Sequence, residues 1–110
     1  MNEKRMFIIS LSSILTLAKL NGPILSRAKA LEEVDEYKVE LESNMSDEAI
    51  LEEFADTFIT GIQVLKHKGL LERLPLTISQ KTTKGLNQAL GDPNKTLLQN
   101  SIQPNEKPPQ

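Results

Sequence analysis

Eleven of the chain's fifteen acidic residues fall between Glu32 and Asp56, where Lys38 is the only base to offset them. Two short patterns stand out in that stretch: Glu32-Glu33-x-x-Glu36, then Glu53-x-x-Asp56 after sixteen intervening residues. Carboxylates three apart on a helix are surface neighbours. Two such pairs on adjacent helices make a nest of like charge that is unfavourable unless something positive occupies it, and a divalent metal is the natural candidate.

Local signals decide whether those helices exist. Asn21-Gly22-Pro23 is a break, with Gly22 suited to end one helix and Pro23 to start the next. A first helix therefore precedes Gly22 and a second runs from about Pro23 to Glu42. Ser46 can cap a third, with Asp47 and Glu48 in its first turn, Lys66 to Lys68 near its end and Gly69 as its stop. After Pro75 the composition changes, and a weaker helix is predicted over Ser79 to Leu90. Asparagine, glutamine and proline dominate from Asn100 onward, which predicts a disordered tail. The expected organisation is one all-α domain over 1–91 and a tail over 92–110.

At about 100° per residue, the second helix gathers Ile24, Ala28, Leu31, Val34 and Leu41 on a broad apolar side, with Lys29, Glu33, Glu36 and Glu40 in a narrow stripe beside it. In the third, Ile50, Leu51, Phe54, Phe58, Ile62 and Leu65 form the apolar side, flanked by Glu53, Asp56, Thr60, Gln63 and His67. Each acid pair is thus expected at the edge of a buried face. An antiparallel hairpin brings the pairs together. Oxygen ligands without cysteine or paired histidine select Mg²⁺ or Mn²⁺, which favour phosphate-bearing substrates. The bland alternative is a solvated acidic face.

The remaining composition narrows the field. A net charge of −2 gives no global field toward nucleic acid or an anionic membrane, and the lack of cysteine excludes disulfides and thiolate zinc sites. A reducing cytoplasm fits. Lys4 and Arg5 before the apolar run Met6 to Ala18 resemble the start of a secretory signal. Yet Phe7, Leu11, Ile14, Leu15 and Ala18 share one side of a wheel and Ser12, Ser13, Thr16 and Lys19 the other, which favours a folded amphipathic helix. No stretch approaches the roughly 18 to 20 uninterrupted apolar residues of a membrane span, so no membrane partner is expected.

Across Ala30 to Leu65, Glu32-Glu33-Val34-Asp35-Glu36 followed by Glu53-Phe54-Ala55-Asp56 resembles the signature of the MazG-like all-α nucleoside triphosphate pyrophosphohydrolases. The resemblance implies a four-helix arrangement completed by homodimerisation or homotetramerisation. It also implies Mg²⁺ held by Glu33, Glu36, Glu53 and Asp56, and cleavage of a nucleoside triphosphate between its α and β phosphates. Glu36 would orient or deprotonate the attacking water. Lys84 with Asn87 is the nearest match to the family's phosphate contacts in the final helix. Lys29, one turn before Glu33, either pairs with that acid or reaches a substrate phosphate.

Other residues have plainer readings. His67 lies eleven residues past Asp56, about 16 Å along a helix, and is expected as a charge near the helix C-terminus. Thr60 and Gln63 should satisfy local hydrogen bonds, and Gly61 suggests close helix approach. The rival function is a non-catalytic helical interaction or regulatory protein retaining the acidic face. A secreted helical protein follows if the first segment is a signal.

Overall fold

The computed structural model describes residues 2–43 and 46–91, and these are all-α, with no strand among them. They fall into two units that divide between Leu71 and Glu72. In the first, helix α1 (Glu3–Ser43) is followed by α2 (Asp47–Lys68); in the second, a short 3-10 turn (Leu71–Arg73) at the boundary leads into α3 (Leu74–Gly91). Residues 44–45, in the link between the second and third expected helices, and the expected tail at 92–110 lie outside the described residues.

The break at Gly22 is present as a reversal inside α1. Gly22 adopts φ 78°, ψ 169°, a conformation open to glycine and costly for other residues, and Pro23 has no N–H for the carbonyl one turn earlier. The arms 3–21 and 23–43 then run in opposite senses along α2. On the first arm Phe7 meets Phe58 at 6.1 Å between ring centroids, and Ala18 meets His67. On the second, Ser26 reaches Gln63 and Tyr37 packs edge-on against Phe54 at 5.6 Å. The first unit is therefore an up-down-up set of three helical rods.

The caps follow the sequence. The Ser46 hydroxyl accepts the Ala49 N–H at 3.2 Å. At the other end Gly69 turns left-handed at φ 70°, its N–H bonding Lys66 O while Leu70 N–H bonds Leu65 O, the paired closure of a Schellman motif. Helix α3 starts five residues before the expected Ser79. Pro75 does not prevent this, because in a first turn its missing N–H has no partner to lose.

The buried face of the second arm differs most from expectation. Ile24, Leu31, Val34 and Leu41 are exposed, Ile24 by 85%, and Ala28 is exposed too. The arm instead turns Ser26, Ala30, Glu33, Tyr37 and Glu40 inward, each buried or half-buried. Ser26 and Ala30 are small enough for close approach, and the bond from Ser26 to the 2%-exposed Gln63 fixes that rotation. On α2, Ile62 is buried and Ile50, Phe58 and Leu65 half-buried, whereas Leu51 and Phe54 are exposed. A Cβ on Gly61 would meet nothing within 4 Å, so close helix approach does not explain that glycine.

Candidate metal centre

Rotation of the second arm carries its acids from the edge of the interface into it. Glu33, Glu40 and Glu53 are half-buried between that arm and α2, while Glu36 and Asp56 are exposed beside them. One carboxylate oxygen from each of Glu33, Glu53 and Asp56 lies within 4.8 Å of the others. An ion with oxygens at about 2.1 Å spaces those oxygens about 3 to 4 Å apart, so modest side-chain rotation closes this triad on a metal. Glu36, the fourth expected ligand, is outside the triad but lines the adjoining concavity with Asp35, Val39, Glu40 and Glu53.

Electrostatics bear the strain out. The Glu33 carboxyl is pushed up from its usual 4.5 to about 7, first by loss of water, then by a hydrogen bond with Glu36 and the charges of Glu36, Asp56 and Glu53. Glu53 is raised too, first by loss of water and then by the charges of Glu36, Asp56 and Glu40. One oxygen on each of Glu33, Glu40 and Glu53 is buried without a hydrogen-bond partner. Buried acceptors are nearly always satisfied, so an all-oxygen cluster with three orphaned atoms fits a hard divalent cation.

Thr57 holds the scaffold together. Its hydroxyl lies 3.2 Å from the Glu33 carbonyl across the interface and 2.9 Å from the Glu53 carbonyl on its own helix, tying together the backbones that carry two of the acids. Thr60 makes the expected local bonds, to the Asp56 and Thr57 carbonyls. Gln63 does not stay local: its Oε1 accepts from Asn21 at 2.9 Å and from Ser26 at 3.3 Å. His67 sits in the last turn of α2 as expected, and its Nε2 also donates to the Ala18 carbonyl at 2.7 Å. The acidic residue that sequence reasoning passed over as a ligand is Glu40, whose signal was its place in the Glu33–Glu36 stripe.

The expected phosphate contacts are divided between the two units. Lys29 is exposed one turn before Glu33. Lys84 and Asn87 lie in the second unit, on the polar face of α3 with Gln80, Thr83 and Gln88. No family model matches this chain, and no characterised protein or solved structure matches it either.

Proposed function

We propose that this chain is a Mg²⁺-dependent nucleoside triphosphate pyrophosphohydrolase of MazG-like type, releasing a nucleoside monophosphate and pyrophosphate. The convergence of Glu33, Glu53 and Asp56 around orphaned, half-buried oxygens carries the reading. Glu33, Glu36, Glu53 and Asp56 would hold the metal. Bound there, Mg²⁺ or Mn²⁺ supplies Lewis-acid neutralisation of the triphosphate charge. Glu36, exposed at the concavity, orients the attacking water and takes its proton as the water oxygen bonds to the α-phosphorus and pyrophosphate leaves. Lys29, Lys84 and Asn87 receive the phosphates.

Assembly belongs to the same reading. Leu31, Val34, Leu41, Leu51 and Phe54 are each at least half exposed, and large uncovered apolar patches are rare on monomers. A homodimer or homotetramer covers them, in the cytoplasm. The second reading, a non-catalytic interaction protein, is favoured by α3, which buries none of its side chains and exposes Leu76, Ile78, Leu86 and Leu90.

A pyrophosphate-release screen over common nucleoside and deoxynucleoside triphosphates, with and without Mg²⁺, decides between them. Release should require Mg²⁺ and vanish in Glu53→Gln, which keeps the volume and removes a ligand. In that variant Mg²⁺ should no longer raise the melting temperature, while the metal-free protein stays as stable or slightly more so. Lys84→Ala should raise KM by about tenfold, the loss expected for one charged hydrogen bond, with the Mg²⁺ response intact. A Mg²⁺-stabilised protein that hydrolyses none of the nucleotides would favour the interaction protein.

A further inference from the structure

The arm 3–21 of α1 has two apolar sides, and α2 covers only one. Ile14 and Ala18 are buried and Leu11 and Leu15 half-buried. Further round the helix Met6, Ile9, Leu17 and Leu20 fall within about 80° of a helical wheel and remain between 42% and 77% exposed, with Ile9 and Leu17 bordering a groove against Ala55, Phe58 and Ile59 of α2. An 18-residue window of α1 reaches a mean hydropathy of 1.5, with 11% of it buried. By length and composition α1 could cross a membrane, which bears on the expectation that the chain has no membrane partner.

We propose that this outer face of the first arm docks on an anionic lipid surface, lying in the interface plane rather than spanning the bilayer. Two observations favour the interface plane over a span. From Met6 to Leu20 the helix rises about 21 Å, less than the roughly 30 Å hydrocarbon thickness, and the inner face is packed on α2. Charge selects the partner. The arm carries Lys4, Arg5 and Lys19 against Glu3 alone, in a chain whose acids gather in 32–56. All three cations are exposed and lie at the two ends of the arm, Arg5 and Lys19 between the stripe and the inner face on the wheel and Lys4 on the inner side. That is the pattern of an interfacial helix, apolar atoms in the acyl boundary and cations among anionic headgroups. A second copy laid against the same face would bring like cations together.

Ser13 is the polar residue at the centre of the stripe, and two hydroxyls beside it have their donors occupied. Ser10 Oγ donates to the Met6 carbonyl at 2.9 Å and Thr16 Oγ1 to the Ser12 carbonyl at 3.3 Å, so their donors are satisfied within the helix. Asn2 Oδ1 accepts the Arg5 N–H at 2.8 Å, capping the arm where the cations begin.

Co-sedimentation of the full chain with phosphatidylcholine vesicles, with and without phosphatidylglycerol, tests the proposal. Binding should require phosphatidylglycerol and weaken at high salt. Ile9→Gln with Leu17→Gln should weaken it more than about tenfold, while Lys19→Gln should weaken it about fivefold, the share of one surface cation. Both residues of the double variant are exposed, so helicity by circular dichroism should hold. Failure to bind either vesicle would overturn the proposal, as would binding unchanged in the double variant. A double variant that lowers the lipid-free solution mass would overturn it too, assigning the face to contact between copies.

Discussion

Helix α2 makes two unlike interfaces with the two arms of α1. Against the arm 3–21 most of it is dry, with Phe58 on Phe7 and Ile14, Ala18 and Ile62 buried, and the bonds of Asn21 to Gln63 and of His67 to the Ala18 carbonyl lie at the Gly22 end. Against the arm 23–43 it is polar, with Ser26 on Gln63, Thr57 on the Glu33 carbonyl, and Glu33, Glu40 and Glu53 half-buried with an unpartnered oxygen each. Burial of apolar surface stabilises a fold, and burial of unpaired carboxylates opposes it. The first interface therefore holds the fold together. The second tolerates a strained acidic cluster because the first offsets it, which is how functional sites are commonly supported.

The largest test of this division is Ile14→Ala. Truncating a 6%-exposed isoleucine in the dry interface should cost about 2–5 kcal/mol, read by urea denaturation, and the remaining folded protein should keep its Mg²⁺ response. If the stability loss is small, the dry interface is not the main support. Gln63→Ala comes next, because this side chain joins both arms through Asn21 and Ser26. Leaving those donors unpartnered should cost about 1–3 kcal/mol. A neutral result would mean that water replaces Gln63 and that the reversal at Gly22 is held by its backbone alone.

The subtlest test is pH. Glu33 is raised from 4.5 to about 7, so the fold favours its protonated form. Its contribution to metal-free stability is fully present below about pH 4.5 and is lost as pH rises through about 7. The melting temperature of the metal-free protein should fall across that window, and less so in Glu33→Gln. With Mg²⁺ the slope should reverse, since ligands must be deprotonated to bind. The same pH profile with and without Mg²⁺ would remove Glu33 from the metal centre.

Much of this arrangement was legible locally. Gly22-Pro23, Ser46 and Gly69 act on their own turns through steric and capping rules that depend on near neighbours, and the break, the start and the stop all occur there. The grouping of Leu11, Ile14, Leu15 and Ala18 was legible because that face has a partner within the chain. For the second arm the same periodicity misled. Ile24, Leu31, Val34 and Leu41 do share a side, but a period of 3.6 residues says which residues lie together, not whether α2 covers them. Gln63 escaped as a long-range contact because nothing in sequence distinguishes an amide that bonds within its own turn from one that reaches Ser26, thirty-seven positions away.

By itself, then, the sequence determined the helices, the ends set by Gly22, Ser46 and Gly69 and the identity of the acids on each stripe, since these depend on interactions within a few residues, whereas the start of α3 at Leu74 was missed. Only the tertiary structure decided the rotation of the second arm, and with it the burial of Glu33, Glu40 and Glu53 and the near-neutral pKa of Glu33. Rotation about a helix axis changes no local interaction, so it is set by what packs across the interface: two small residues, a buried glutamine and a threonine shared between two backbones.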